Sequence, residues 1–234
     1  ELLASMSGQN VGTIVNVSAT LDSCRRSIAL AGQYPYVYAA VGIHPDEVGA
    51  LNEDTFAEMK TLFGHEKVVA VGEIGLDYYW DNEPHEVQRK WFVRQLELAR
   101  ELELPVLIHS REAASDTLYV MKECAQGLQG VIHCFSYSKE IAQEYVKMGF
   151  YIGIGGVVTF KNAKKLKEVA AAVPIERILL ETDCPYMAPE PYRGKRNQSG
   201  YLSYVAEQIA AIKGMPVEEV IEQTENNARA MYRL

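Results

Sequence analysis

Short apolar runs alternate with amphipathic stretches along the whole sequence. The apolar runs predict strands over 11–17, 36–43, 67–74, 104–109, 129–134, 149–154 and 177–182. Most of these runs are near-continuous, which is typical of strands buried on both faces. Between residues 84 and 104, apolar residues such as Phe92 and Leu96 recur at helical spacing opposite charged residues. Similar patterns predict helices over 20–33, 53–63, 112–125, 138–148, 161–172, 199–213 and 216–224. No linker or low-complexity tract interrupts them, which predicts one α/β domain over residues 1–234.

The number of strands is one short of a closed barrel. Repeated βα units predict a TIM (β/α)8 barrel, which needs eight strands, whereas the sequence offers seven runs. The opening segment 1–8 resembles the tail of a helix that ends at Gly8. We therefore expect a barrel whose first βα unit is missing from this chain. An open seven-stranded sheet is the less favoured alternative.

Metal-ligand side chains stand at the ends of four of these runs. Glu73, His109, His133 and Asp183 each close a separate strand. Parallel strands in a barrel bring their carboxyl ends to one rim, where the active sites of such barrels lie. Two imidazoles and two carboxylates are suitable ligands for a divalent cation. The sequence therefore predicts that these four side chains converge on a metal site.

Composition and charge narrow the possible partners. The 23 basic and 31 acidic side chains give a net charge of -8, which argues against non-specific wrapping of nucleic acid. A phosphate substrate remains compatible, because a few local cations and metal ions can offset the field. No apolar run approaches the length of a membrane span. The four cysteines form no CxxC pair, which predicts reduced thiols in a cytoplasmic protein.

Several motifs together resemble the TatD family of metal-dependent deoxyribonucleases, which is related to the amidohydrolases. They occur in the family's order and spread over most of the chain. They are Val41-Gly-Ile-His44-Pro45, Gly72-Glu73-Ile-Gly-Leu-Asp77-Tyr78, Ile108-His109-Ser-Arg111, His133-Cys-Phe-Ser136, Glu181-Thr-Asp183-Cys-Pro185 and Arg193-Gly-Lys-Arg-Asn197. The resemblance implies a TIM barrel that hydrolyses phosphodiester bonds in DNA with two divalent metal ions (Zn, Mg or Mn).

The resemblance also implies roles for individual residues. Glu73 would bridge the two metals, His109 and His133 would ligate one of them, and Asp183 would hold the other. Glu73 and Asp183 would be the catalytic residues. In addition to holding a metal, Asp183 would orient or deprotonate the attacking water. The family suggests a substrate-binding role for His44. Asp77 is expected to orient a ligand or a loop.

Phosphate-binding candidates flank these motifs. Arg111 and Arg193 can present planar guanidinium forks to phosphate oxygens. Together with Asn197 they favour a phosphate over another substrate. Tyr78, Tyr79 and Trp80 follow Glu73 and could stack on a base, although packing at the rim is an equal alternative.

The sequence departs from the family at three places. The paired histidines (His-x-His) that normally end the family's first strand are absent, and Tyr137-Ser138 and Gln198-Ser199-Gly200 replace common family residues. If the histidine pair is missing from the molecule, one metal should bind weakly.

The alternative functions are a same-fold hydrolase of a C–N or ester bond and a metal-binding protein without catalysis. We expect a DNA substrate that is cleaved from an end or as a single strand, because the site would lie in the mouth of the barrel. We expect no membrane association and no obligate protein partner.

Overall fold

The structure, a computed structural model, describes residues 1–80 and 82–234. Strands and helices alternate along this part of the chain. In order they are β1 Ile14–Val17, α1 Leu21–Gln33, β2 Val37–Val41, α2 Glu53–Leu62, β3 Val68–Asp77, α3 His85–Glu101, β4 Val106–Arg111, α4 Ala114–Cys124, β5 Gly130–Ile132, α5 Lys139–Lys147, β6 Tyr151–Ile154, α6 Lys164–Ala172, β7 Ile178–Leu180, α7 Leu202–Lys213 and α8 Val217–Tyr232. The described residues thus contain each strand and helix that the hydrophobic pattern predicts.

Contacts between Cα atoms divide the chain into two compact units. The first unit is Thr13–Val131, and the second unit combines Glu1–Gly12 with Ile132–Leu234. The single domain over 1–234 stays a prediction.

Parallel strands form the centre of the first unit. β1 pairs with β2, β2 with β3 and β3 with β4, all in parallel. β2 and β3 are apolar at most positions because residues on both of their faces are buried. Helix α3 contributes the buried side chains of Phe92 and Leu96 to this core. The parallel pairing brings the carboxyl ends of these strands to one edge of the unit.

A glycine lets β3 and β4 approach each other closely at this edge. Gly75 of β3 is aligned with His109 of β4 in the strand register. Its φ of 149° lies in a region that side-chain-bearing residues rarely adopt. A Cβ atom at position 75 would lie 1.9 Å from the backbone oxygen of His109. Glycine is therefore required for the backbone geometry that positions His109.

The second unit holds its last helix against a parallel strand pair. β6 pairs with β7, and Asn227 of α8 donates from Nδ2 to the carbonyl oxygens of Ile175 (2.8 Å) and Ile178 (2.9 Å). Met231 of the same helix is buried. These contacts continue α8 to Tyr232, beyond the end predicted at residue 224. The pattern indicated an early end because Thr224 and the asparagines after it are weak helix formers, and tertiary contacts override that tendency.

The opening segment differs from the helix tail that the sequence predicted. It forms two short 3-10 turns, Leu3–Ser5 and Ser7–Gln9. The left-handed residue that ends them is Asn10, with φ of 58°, and not Gly8. The prediction of a helix ending at Gly8 is therefore wrong. Asparagine adopts this conformation more readily than other side-chain-bearing residues, which explains how it replaces glycine.

In the described part of the chain, the helices are too short or too polar to cross a bilayer.

Replacing Asn227 tests the contact between α8 and β7. Asn227→Ala removes a buried side chain, only 5% exposed, and leaves two carbonyl oxygens without their donor. We expect the free energy of unfolding to fall by about 2 kcal/mol. The matched control is Asn226→Ala, because Asn226 is the exposed neighbour on the same helix. Urea denaturation measures both, and equal stabilities of the two variants would contradict the assignment.

Candidate metal centre

The imidazole of His109 lies between two carboxylates in the first unit. Its Nδ1 is 2.8 Å from Oε1 of Glu73, and its Nε2 is 2.9 Å from Oδ2 of Asp77. Glu73 and Asp77 belong to β3 and His109 to the adjacent β4. His44, which follows β2, places its ring 4.3 Å from that of His109 in an edge-on arrangement. Three of the sequence-predicted site residues are thereby brought together in this unit.

Asp77 is anchored by the backbone that follows it. Its Oδ1 accepts hydrogen bonds from the amides of Tyr79 (2.8 Å) and Trp80 (3.1 Å), so that only Oδ2 faces His109. The side chain of Gln88 binds both the amide and the carbonyl of Asp77. Asp77 is 1% exposed. The carboxylate therefore has a fixed orientation, and it fixes in turn the ring of His109.

The electrostatics of this group favour a positive charge. Burial opposes the charged imidazolium, but hydrogen bonds to Asp77 and Glu73 outweigh it and raise the pKa of His109 to about 9. The pKa of Asp46 is raised by burial and by the negative charge of Asp77. Oδ1 of Asp46 is buried and has no hydrogen-bond partner among the described residues. An excess of buried carboxylate oxygens around two imidazoles is the environment that a cation would stabilise.

A second group with the same arrangement lies in the second unit. Nδ1 of His133 is 2.7 Å from Oε2 of Glu181, and Nε2 is 3.5 Å from Oδ1 of Asp183. The other oxygen of Glu181 accepts the amide hydrogen of Cys134 at 2.7 Å. Glu181 therefore contacts His133 in the same way that Asp77 contacts His109. In each group one carboxylate is anchored by the backbone and holds one ring nitrogen, while the other nitrogen faces a second carboxylate.

Gly153 provides the room for Glu181. A Cβ atom at position 153 would lie 2.4 Å from Oε2 of Glu181, the atom that binds His133. Gly153 belongs to β6, which pairs with β7, and Glu181 follows β7 directly. The close approach of the carboxylate to β6 therefore depends on a residue without a side chain.

The donor sets of both groups fit a divalent metal ion. Imidazole nitrogens and carboxylate oxygens are ligands of Zn²⁺, and carboxylates also suit Mg²⁺ and Mn²⁺. His44, Asp77 and His109 offer ligand atoms that all lie within 4.8 Å of one another, and so do His133, Cys134 and Glu181. An imidazole that gives one nitrogen to an anchored carboxylate presents the other to a metal in a fixed direction.

The remaining candidates have different surroundings. The guanidinium of Arg111 lies 3.9 Å from the ring centroid of Tyr79, and that of Arg193 lies 4.2 Å from the ring of Phe160. Asn197 is buried, and its Nδ2 donates to the backbone oxygens of Thr182 and Tyr186. These bonds hold the backbone on both sides of Asp183. A substrate contact of Asn197 stays a prediction, and the structure adds a positioning role.

A cavity of about 300 Å³ borders Asp183 in the second unit. Its walls include Cys134, Phe135, Gly156, Lys165 and Leu166. Apolar side chains form much of this lining, and Lys165 contributes a positive charge to it.

Sequence reasoning assigned no role to Glu181, and it considered Asp77 only as a residue that orients a ligand or a loop. The signal for Glu181 was its position two residues before Asp183 at the end of the predicted strand 177–182, because alternate residues of a strand face the same side. For Asp77 no local pattern specifies the partner. Its contact with His109 arises from the register between β3 and β4.

Comparison with known proteins identifies the family. The family described as TatD related DNase matches residues 1–233. The chain belongs to the TatD family. It is 44% identical to the uncharacterized metal-dependent hydrolase YabD of Bacillus subtilis, over 100% of this chain and 92% of that protein. It is 37% identical to the uncharacterized metal-dependent hydrolase YcfH of Escherichia coli, over 100% of this chain and 88% of that protein.

A solved structure shows the same fold in this family. The TatD homologue YjjV of Escherichia coli is 30% identical, with a TM-score of 0.93 over 100% of this chain and 91% of that chain. The predicted α/β barrel class and the predicted family are thereby confirmed. The chain is a member of a family of metal-dependent hydrolases. The missing first βα unit stays a prediction.

Exchanging one atom of Asp77 tests its hold on His109. Asp77→Asn keeps an oxygen for the amides of Tyr79 and Trp80 but presents an NH2 group to Nε2 of His109. The ring then loses its acceptor, and we expect the affinity for Zn²⁺ or Mn²⁺ to fall roughly 10- to 100-fold. Isothermal titration calorimetry measures this, with Asp54→Asn as the control on the exposed first turn of α2. Unchanged affinity in Asp77→Asn would contradict the orienting role.

A methyl group at position 153 tests the second group. Gly153→Ala should displace the carboxylate of Glu181 from His133, because the new Cβ would lie 2.4 Å from Oε2. We expect weaker metal binding in the same titration, roughly 10-fold or more. Gly8→Ala is the control in the same unit, since a Cβ there meets nothing within 4 Å. Wild-type metal affinity in a folded Gly153→Ala protein would refute the dependence.

Proposed function

We propose that this chain is a metal-dependent hydrolase of phosphodiester bonds in DNA. The observation that carries the proposal is the position of Arg111 on β4, two residues from His109. Alternate residues of a strand face the same side, so a guanidinium stands on the side that carries the metal donor. A guanidinium fork matches phosphate oxygens, whereas hydrolysis of a neutral amide has no need of it. The family's description as TatD related DNase supports the same substrate.

Each group of donors is proposed to hold a divalent ion. In the first unit Glu73 and His109 would be ligands, with Asp77 orienting His109. In the second unit His133 and Asp183 would be ligands, with Glu181 orienting His133. A bound divalent cation lowers the pKa of water and neutralises charge on phosphate oxygens. That Glu73 bridges two ions of one centre, and whether these are Zn, Mg or Mn, stays a prediction.

The chain's own residues would bind the substrate and move the proton. Arg111 and Arg193 would bind the phosphate oxygens, and His44 would contact the substrate beside His109. Asp183 would accept a proton from the attacking water while the oxygen of that water forms a bond to phosphorus. The bond from phosphorus to the leaving oxygen breaks, and that oxygen takes up a proton from solvent water. Asn197 would hold Asp183 in place through the backbone of Thr182 and Tyr186.

The geometry around Asp183 supports its role as the acid–base residue. Its side chain is 32% exposed, compared with 15% for Glu181. Glu181 is committed to the amide of Cys134 and to His133. Of the two carboxylates, Asp183 is therefore the one that can reach a substrate.

The proposal includes a cytoplasmic location. All four cysteines are free thiols, which supports the reducing compartment predicted from the sequence.

Removal of either catalytic carboxylate tests the reaction. We expect Glu73→Ala and Asp183→Ala to lower the turnover of labelled single-stranded DNA by roughly 10²- to 10⁴-fold. Each variant loses a metal ligand, and Asp183→Ala also loses the group that accepts the proton of the attacking water. Excess chelator should abolish cleavage by the wild type, and added metal should restore it. Glu66→Ala, in the exposed turn before β3, is the control.

Two results would contradict this proposal. One is undiminished cleavage of DNA in excess chelator or by Glu73→Ala. The other is hydrolysis of an ester or C–N bond of a small metabolite while DNA stays intact, which favours the alternative function.

A further inference from the structure

Two large aromatic side chains are exposed directly after the metal-binding strand β3. Tyr79 is 55% exposed and Trp80 is 56% exposed. Their ring centroids are 5.1 Å apart, and the ring planes are nearly perpendicular at 85°. Trp91, the other tryptophan of the chain, is 3% exposed and packs against Phe56. Exposed adjacent aromatic rings indicate a surface that binds a ligand.

A cation adjoins these rings. The guanidinium of Arg111 lies 3.9 Å from the centroid of Tyr79 and 5.5 Å from that of Trp80. We call these three residues, Tyr79, Trp80 and Arg111, the aromatic platform. Because the guanidinium is closer to Tyr79, Tyr79 is the ring that orients Arg111. Trp80 is the ring that has more surface left for a ligand.

The platform is connected to the proposed metal ligand by one carboxylate. Oδ1 of Asp77 accepts the amides of Tyr79 and Trp80, and its Oδ2 faces Nε2 of His109. Asp77 and Arg111 are also aligned in the register between β3 and β4. The platform and His109 therefore keep a fixed position relative to each other. A group that stacks on the platform would hold the rest of its molecule at a defined distance from the metal donors.

We propose that the aromatic platform binds an unpaired nucleobase of the substrate strand. The base stacks on Trp80, and Arg111 binds an adjoining phosphate. Aromatic rings beside a cation are the means by which proteins bind single-stranded nucleic acid without reading its sequence. Paired bases within a duplex have no free face for such stacking, so the site selects single strands or frayed ends. This inference rests on the proposed function, since it places the base of the same DNA substrate.

Packing alone does not account for these rings. A ring that fills space between packed elements is buried, as Trp91 of α3 is, whereas more than half of Trp80 is exposed to solvent. The backbone amide of Trp80, and not its ring, makes the contact with Asp77. Loss of the ring should therefore leave the metal-binding group intact.

Fluorescence gives a binding test that does not depend on turnover. Titration of the protein with a single-stranded oligodeoxynucleotide should quench the emission of Trp80, and an oligomer of abasic residues with the same backbone should not. Trp91 is buried and contributes a constant background. In Trp80→Phe the quenching should vanish. Equal quenching by both oligomers, or quenching that persists in Trp80→Phe, would overturn the proposal.

Kinetics gives the second test. The wild type should cleave the base-containing oligomer with a kcat/KM about 10-fold higher than the abasic one, the size expected from stacking of one base. Trp80→Ala should remove this preference and Trp80→Phe should keep it. Tyr119→Ala is the matched control, because Tyr119 is 63% exposed but lies on α4. A Trp80→Ala protein that keeps the full preference would overturn the platform and leave the proposed function standing.

The two proposals fail in different ways. A wild-type protein that cleaves neither oligomer contradicts the proposed function, and the fluorescence titration then decides the platform by itself.

Discussion

Each of the two candidate metal-binding groups depends on a hydrogen bond between an imidazole and a carboxylate that is largely shielded from solvent. A histidine ring can rotate and can carry its proton on either nitrogen, so an unsupported histidine has no defined lone pair to offer a metal. Asp77 and Glu181 remove this freedom by holding one nitrogen of His109 and of His133. Asp77 is itself held by two backbone amides and Glu181 by one, which makes the orientation of each imidazole a property of the fold.

The rest of the structure supplies what these contacts require. The parallel strands place the side chains at their carboxyl ends, and two glycines permit the close approaches. Gly75 allows the backbone of His109 to lie against β3, and Gly153 leaves room for the carboxylate of Glu181. Burial strengthens the electrostatic interactions in both groups, because a lower dielectric weakens screening. The negative charge of the carboxylates in each group therefore favours a bound cation.

Much of the fold could be predicted from the sequence, because buried parallel strands leave near-continuous apolar runs. The residue types at the ends of these runs pointed to His109, His133, Glu73 and Asp183 as site candidates. The predicted strand ends were too early at two of them, because β3 continues past Glu73 to Asp77 and β4 past His109 to Arg111. The N-terminal turns and the last part of α8 could not be predicted from the sequence. Asn10 ends the turns through a left-handed backbone conformation, and Asn227 extends α8 through two hydrogen bonds to residues distant in the chain. The orienting partner of His109 depends on strand register. No pattern within one segment reveals which distant carboxylate meets an imidazole.

The most direct test of this account is the tautomer of each ligand histidine in the zinc-loaded protein, measured by nitrogen-15 NMR on selectively labelled histidines. The two carboxylates hold opposite nitrogens: Asp77 faces Nε2 of His109, and Glu181 faces Nδ1 of His133. We therefore predict a proton on Nε2 of His109 with Nδ1 bound to the metal, and a proton on Nδ1 of His133 with Nε2 bound to the metal. Assignment would come from His109→Gln and His133→Gln. The same tautomer at both positions, or ring nitrogens unaffected by zinc, would contradict it.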